Sequence, residues 1–183
     1  LDALATAPDD QRFTFVRSNF RYAENFMRFY GVEKVDGILA DLGVSFHHFD
    51  AAERGFSFRE EAPLDMCMNR EGGITAATVA NDYSEEQIAE IMRLYGDMKN
   101  GKRIAKAIVA ARANRPLETT TQLAEAVEPL LNPKQMKKEM AQVFQALRIE
   151  VNGEMSALEH FLKSTLDLLK PGGRLTILTY HSL

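Results

Sequence analysis

The chain has 183 residues, of which 45% are hydrophobic and 26% charged, and its single cysteine excludes a disulfide framework and an all-cysteine metal site. No apolar run approaches the roughly 20 residues needed to span a bilayer and no signal peptide is visible, so we expect a globular cytosolic protein that is large enough for a sizeable core. Because the net charge is -4, any nucleic-acid binding must depend on a local basic patch.

The first quarter of the sequence predicts alternating helices and strands. In order, we expect a helix over residues 1–5, a strand over 12–16, a helix over 22–30 and a buried strand over 35–41. Gly31 is placed to end the second helix at its C′ position. Gly43 allows a bend directly after the buried strand, which ends at Asp41. This strand–helix–strand order favours a parallel α/β sheet.

The middle of the sequence reads as helical, with no strand from residue 74 to about residue 138. We expect helices over 84–95, 102–114, from about 122, over 137–151 and over 154–169. Ser84 and Gln87 form a capping-box pattern, Thr119–Thr121 offer caps for the third helix, and Pro116 stops the second. A tight turn over 171–173 and a strand over 174–180 follow.

This order predicts an α/β domain made of residues 1–70 and 139–183, interrupted by an inserted helical domain over residues 71–138. The alternative is one mixed fold without a separable insert. No internal repeat or low-complexity segment is visible.

Asp41 and Phe20 are candidate ligand-binding residues in the α/β part. In open parallel sheets, ligands bind beyond the carboxyl ends of the strands, and Asp41 stands at such an end. Phe20 follows the end of the preceding predicted strand, where an aromatic face suits a flat ligand. The alternatives are a turn-forming aspartate and a core phenylalanine. His47 and His48 are adjacent but lack further ligands at metal-binding spacing, so we predict no metal site.

Residues 53–58 combine a cation with aromatic side chains after this strand. Arg54 and Phe56 offer the groups on which proteins stack flipped or single-stranded bases. The alternative is a loop that packs its aromatic residues onto the helical segment, and the sequence leaves both open.

A basic patch lies in the predicted insert, where residues 98–117 contain no acid. At 100° per residue, Ile104, Ile108 and Ala111 share one face of a helix, and a cationic stripe occupies another. The stripe consists of Lys99, Lys102, Arg103 and Lys106. It predicts either contact with RNA phosphates or an ordinary solvated helix face.

The segments DGILADLGVS, ERGFSF, PLDM, FQALRIEVN and YHSL together resemble the RsmH (MraW) family of bacterial methyltransferases. Members of this family methylate the N4 amine of a cytosine in the decoding region of 16S ribosomal RNA, with S-adenosylmethionine as methyl donor. The resemblance implies a Rossmann-like S-adenosylmethionine-dependent methyltransferase sheet with an inserted all-helical domain, acting on small-subunit ribosomal RNA or an assembling 30S particle. It also implies that Phe20, Asp41 and His48 line the cofactor site.

Asp41 is the candidate catalytic residue. The lone pair of a cytosine amine is delocalised into the ring, and a carboxylate that accepts a hydrogen bond from its N–H makes the nitrogen more reactive. Amino-methyltransferases place Pro-Pro after this residue, whereas the chain has Leu42 and Gly43. The only cysteine, Cys67, stands where the family has arginine, so we expect direct displacement and no covalent intermediate.

The Gly-rich loop and the ribose-binding acid of the family are absent from the sequence, and we expect them upstream of Leu1. The sequence therefore looks trimmed at both ends, and we expect the 183-residue chain itself to be inactive. Two other hypotheses remain: a methyltransferase with another acceptor, and a fragment that retains only a helical RNA-binding module.

Overall fold

The computed structural model describes residues 8–43, 54–69 and 72–179. Within them the chain forms two strands and seven α-helices, together with 3₁₀ turns at Phe20–Tyr22 and Glu128–Leu130. In chain order the elements are α1 (Ala23–Phe29), β1 (Val35–Leu42), α2 (Ala76–Asp82), α3 (Glu85–Leu94), α4 (Gly101–Asn114), α5 (Thr120–Val127), α6 (Met136–Asn152), α7 (Glu154–Leu168) and β2 (Leu169–Thr179). The mixed α/β prediction is confirmed at this level.

The chain divides into two compact units, of which the first comprises Leu1–Asp41 and Met155–Leu178. Its sheet pairs β1 with β2 in parallel. Helix α1 ends as predicted: Gly31 has a φ of +70°, and the amides of Gly31 and Val32 donate to the carbonyl oxygens of Arg28 and Met27. These two hydrogen bonds form a Schellman motif, which explains why a glycine stands there.

Two sheet predictions in this unit are wrong. The strand predicted over residues 12–16 does not form: residue 12 lies in a turn, and residues 13–17 have no regular secondary structure. A strand needs a ladder partner, and the described sheet pairs only β1 with β2. Alternating residue types alone could not supply that partner. The predicted turn at 171–173 lies inside β2, where Lys170 forms an ion pair of 3.0 Å with Asp36 of the neighbouring strand.

Strand β1 was expected to be buried, and this expectation is also wrong. Ala40 is its one buried residue, whereas the side chain of Leu39 is 71% exposed. A strand in a two-stranded sheet has few neighbours to cover its faces. The predicted end of the strand is correct to one residue, since β1 ends at Leu42 and the chain bends at Gly43.

The second unit, Leu42–Glu154 with Thr179–Leu183, contains the helices α2 to α6. Their inward faces form one apolar core, in which Met92, Ile104, Ile108, Leu123 and Leu147 are fully buried. Because side chains three, four and seven positions apart share a helix face, the spacing in the sequence sets which side is buried. The predicted helices over 84–95, 102–114 and 137–151 are confirmed.

Capping boxes begin three helices of this unit. Ser84 and Gln87 exchange hydrogen bonds as predicted, and Thr119 pairs with Gln122 in the same way at the start of α5. Thr75 does so with Thr78 at the start of α2, a helix that the sequence analysis missed. The signal was weak there because threonine replaces the usual Glu or Gln at the fourth position.

The second unit extends past residue 138 to Glu154, so α6 lies with the helices of the proposed insert. This division by contacts does not test whether residues 71–138 form an inserted domain, and those boundaries stay a prediction. No helix in the described part of the chain is long and apolar enough to cross a membrane.

Candidate functional site

Asp41 is the last residue but one of β1, two residues before the bend at Gly43. The preceding residue, Ala40, is buried, and because side chains alternate along a strand, Asp41 lies on the opposite face. Its side chain is exposed. A carboxylate held at a strand end and open to solvent can accept a hydrogen bond from a ligand, which is the geometry that the sequence analysis expected of this residue.

Phe20 begins the 3₁₀ turn that precedes α1, and residues 13–19 before it form no strand. Asn19 caps this turn, since its Oδ1 accepts a hydrogen bond of 3.0 Å from the amide of Arg21. The Phe20 ring packs edge-on against Phe161 of α7, with ring centroids 5.5 Å apart, and is still 38% exposed. Part of the ring holds the unit together, and the rest is available to a flat ligand.

His48, the third expected cofactor residue, lies outside the described residues, as does His47. The structure therefore places Phe20 and Asp41 in the same compact unit and leaves the role of His48 a prediction. No group of three metal-ligating side chains comes together in residues 8–43, 54–69 and 72–179.

Arg54 and Phe56 are engaged within the second unit. The Nη2 atom of Arg54 donates to the carbonyl oxygens of Cys67, at 2.5 Å, and Met68, at 3.2 Å. Its guanidinium carbon lies 5.3 Å from the centroid of the Phe56 ring, which is only 5% exposed. These contacts match the packing alternative for the loop, and stacking of a base on Phe56 stays a prediction that requires the ring to leave the core.

Asn152 is the residue that sequence reasoning missed. Its Oδ1 accepts a hydrogen bond of 2.7 Å from the amide of Met68, and its Nδ2 donates to the carbonyl oxygens of Met66, at 2.9 Å, and Arg148, at 2.8 Å. Met66 is fully buried with a φ of +59°, a conformation that costs a non-glycine residue about 1 kcal/mol or more. Asn152 thus fixes a strained turn, together with Arg54.

Three of the segments that carry the family resemblance meet in this arrangement. Arg54 belongs to ERGFSF, Met66 to PLDM and Asn152 to FQALRIEVN. Within α6, Arg148 is also buried and forms an ion pair of 2.8 Å with Glu154. The sequence did contain a signal for the role of Asn152: Arg148 and Asn152 are polar residues four apart, so they share one side of α6, and buried apolar residues surround them.

Tyr83, at the end of α2, donates a hydrogen bond of 3.0 Å to Oε1 of Glu150 in α6. Burial, the hydrogen bond and the charge of Glu150 together raise the pKa of the Tyr83 phenol. The Nη1 atom of Arg112 donates to the carbonyl oxygens of Ala80 and Tyr83 at 2.9 and 2.6 Å. Arg112 therefore satisfies the end of α2, as the last carbonyl oxygens of a helix require.

The cationic stripe has the orientation that its periodicity predicts. Lys102, Arg103 and Lys106 lie on the exposed side of α4, and Lys99 is exposed in the turn before it. Ile104 and Ile108, on the opposite side, are fully buried. The stripe is exposed to solvent, and its contact with RNA phosphates stays a prediction.

The family model described as "MraW methylase family" matches residues 3–183. The chain belongs to this family. It is 58% identical over 182 residues to "Ribosomal RNA small subunit methyltransferase H" of Phocaeicola vulgatus, and 54% identical to the proteins of the same name in Bacteroides thetaiotaomicron and Parabacteroides distasonis. In each case all of the chain is covered, and the chain spans about 60% of the relative's length. The family resemblance stated from the sequence is confirmed.

Proposed function

We propose that the full-length protein transfers a methyl group from S-adenosylmethionine to the N4 amine of a cytosine in 16S ribosomal RNA. Membership of the MraW methylase family supports a methyltransferase, and the relatives' printed name supports small-subunit ribosomal RNA as the substrate. The observation that carries the choice of an amine acceptor is Asp41, an exposed carboxylate at a strand end.

The described residues fit the proposed cofactor. Phe20 leaves part of an aromatic face exposed, which suits the adenine ring, and Asp41 offers a hydrogen-bond acceptor in the same unit. When bound, S-adenosylmethionine supplies an electrophilic methyl group on a sulfonium. We propose that Phe20 and Asp41 help to hold it, with His48.

Asp41 has a second proposed role towards the cytosine. Its carboxylate accepts a hydrogen bond from the N4–H, which concentrates the lone pair on the nitrogen, and it takes up the proton once the new C–N bond has formed. Asp41→Asn keeps the size of the side chain but weakens it as an acceptor. We therefore expect cofactor affinity within a few-fold of wild type, measured by calorimetry, and a much lower turnover of methyl transfer.

An unchanged turnover in Asp41→Asn and Asp41→Ala would refute the catalytic role of this residue. If the wild-type protein methylates another atom of the RNA, the N4 amine of cytosine is not the methyl acceptor, and the hypothesis of a methyltransferase with another acceptor replaces this one.

The helical segment 71–138 is proposed to recognise the RNA, by the exposed stripe on α4. Reversing the charges of Lys99, Lys102, Arg103 and Lys106 should weaken binding to all RNA sequences and flatten its salt dependence, by about 0.7 to 0.9 log–log units for each phosphate that is no longer neutralised. Cofactor affinity should not change. A salt dependence equal to that of wild type would show that the stripe is only a solvated face.

The 183-residue chain alone is proposed to bind the cofactor more weakly than the full-length protein, because it spans about 60% of the length of its relatives and we expect the family's Gly-rich loop in the remainder. Calorimetry on both proteins tests this. Equal affinities would mean that the pocket lies within these 183 residues.

A further inference from the structure

The starts of helices α4 and α6 lie at the same end of the second unit. The side chain of Asn100, the residue before α4, donates a hydrogen bond of 3.4 Å to the carbonyl oxygen of Leu130. Two residues further on, the amide of Asn132 donates to Oε2 of Glu139, in the first turn of α6, at 2.8 Å. The connection between α5 and α6 therefore contacts the start of α4 through Leu130 and the start of α6 through Asn132.

A second set of contacts shows which side of α6 faces the turn before α4. Gln145 donates a hydrogen bond of 2.9 Å to the carbonyl oxygen of Tyr95. A Cβ added to Gly96 would lie only 3.1 Å from the carbonyl oxygen of Gln142, so the two backbones are in close contact. Gln142 and Gln145 thus mark the face of α6 that packs against residues 95–96.

Lys138 lies on that face. It precedes Gln142 by four residues and Gln145 by seven, and residues at these spacings project from the same side of a helix. Four residues correspond to a rise of about 6 Å, so Lys138 stands about one turn beyond Gln142, towards the start of α6. Its side chain is exposed. Lys138 therefore lies on the side of α6 that packs against residues 95–96, one turn nearer the start of that helix, and Lys99 follows Gly96 by three residues in the chain.

The surroundings favour an anion. Lys99, Lys102 and Arg103 are exposed at the start of α4, and the first turn of that helix contains no acidic residue and no side-chain cap. The aligned peptide dipoles give the N-terminal end of a helix a partial positive charge. Asp97, exposed in the same turn, and Glu139, whose Oε2 accepts a hydrogen bond from the Asn132 amide, both reduce the net positive charge, but four exposed cations outnumber them.

We propose that Lys138 and the cations at the start of α4 form one surface that binds RNA phosphates between the two helices. We call it the two-helix cationic surface; its residues are Lys99, Lys102, Arg103 and Lys138. This inference rests on the proposed RNA substrate and extends it, because the stripe on α4 alone is a single row, whereas two helices can hold the backbone from both sides.

Lys138→Gln and Lys137→Gln in the full-length protein provide a matched test. Both lysines are exposed in the first turn of α6, but Lys137 projects about 100° away from the face of Gln142 and Gln145. Binding to an in-vitro transcript of the 16S decoding region is measured by fluorescence anisotropy over a range of KCl concentrations. Circular dichroism verifies that both variants fold.

Lys138→Gln should lower the log–log salt slope by about 0.7 to 0.9 and weaken binding about fivefold near 0.15 M salt, and Lys137→Gln should change neither quantity. Equal slopes in the two variants would refute the two-helix cationic surface, whatever their common value. Methyl transfer by the wild-type protein is measured on the same transcript. If the wild type transfers no methyl group while the two slopes differ, the proposed activity fails and the surface stands. Methyl transfer with equal slopes would instead support the activity and refute the surface.

Discussion

Replacing Asn152 by alanine removes the side chain that ties α6 to the segment of residues 66–68. The substitution deletes the hydrogen bonds to the amide of Met68 and the carbonyl oxygen of Met66, as well as a local bond to Arg148. The amide and the carbonyl oxygen at residues 68 and 66 are then left without this partner in a partly buried place. The backbone of Met66 must also keep its positive φ with less support.

The expected loss of stability follows from these contacts. A net contribution of about 1 kcal/mol for each of the two hydrogen bonds between segments, with an added cost for desolvated groups left unpaired, gives about 2–4 kcal/mol. Asn152→Asp should be at least as destabilising, because a carboxylate keeps the bond to the Met68 amide but faces the Met66 carbonyl oxygen with no proton to donate.

Urea unfolding followed by circular dichroism at 222 nm measures these losses, since the second unit is mostly helical. Asn114→Ala is the matched control: the Asn114 side chain is exposed and makes one bond, to the carbonyl oxygen of Ala110 within its own helix. We expect the control to change the free energy of unfolding by no more than about 0.5 kcal/mol. If Asn152→Ala were as mild as this control, the segment would be held by its other contacts, and our account of Asn152 would be refuted.

Two further substitutions test local features of the fold by thermal and urea unfolding. Gly55→Ala should destabilise the protein by several kcal/mol, because the φ of Gly55 is +69° and the new Cβ would lie 2.2 Å from a backbone carbonyl oxygen. The control Gly31→Ala, at a φ of +70° in open space, should cost only about 1–2 kcal/mol, and equal costs would contradict the role of the close contact. Glu154→Gln leaves the buried guanidinium of Arg148 without its charge partner and should lower the free energy of unfolding by about 3 kcal/mol. Glu24→Gln removes the charge from an exposed ion pair and should cost about 0.5 kcal/mol or less. If Glu154→Gln cost no more than this control, solvent would replace the carboxylate as the partner of Arg148.

The helices of the second unit other than α2 were predictable because their signals are local. A capping residue such as Ser84 and its partner Gln87 are three residues apart, and the apolar face of α4 repeats every three to four residues. Both signals act within one turn of the chain, so they do not depend on what the helix packs against.

The sheet was less predictable because strand pairing depends on residues that are distant in sequence. Residues 12–16 alternate like a strand and have no ladder partner within the described sheet, whereas the glycines of 171–173 suggest a turn and are accommodated in β2 beside β1. The burial of β1 was overestimated for the same reason, since its apolar composition does not reveal what covers it.

The site was predictable in part. Asp41 was expected at the end of a strand and the cationic stripe on one face of a helix, and the structure places them there in exposed positions, while their roles in binding stay predictions. The engagement of Arg54 with two backbone carbonyl oxygens depends on the fold of the segment that follows it. The role of Asn152 depends on contacts between segments that are far apart in sequence, such as that of 2.9 Å between Asn152 and Met66. No local pattern encodes such a contact.

The most direct test of the proposed function is to identify the methylated atom. The full-length protein, S-adenosylmethionine with an isotopically labelled methyl group, and unmethylated 30S particles or 16S ribosomal RNA are incubated together, and the RNA is digested to nucleosides for mass spectrometry. We predict label in N4-methylcytidine with wild-type protein, and a strong reduction with Asp41→Asn. Label in a different nucleoside, or no label in the RNA with protein that binds the cofactor, would contradict the proposed function.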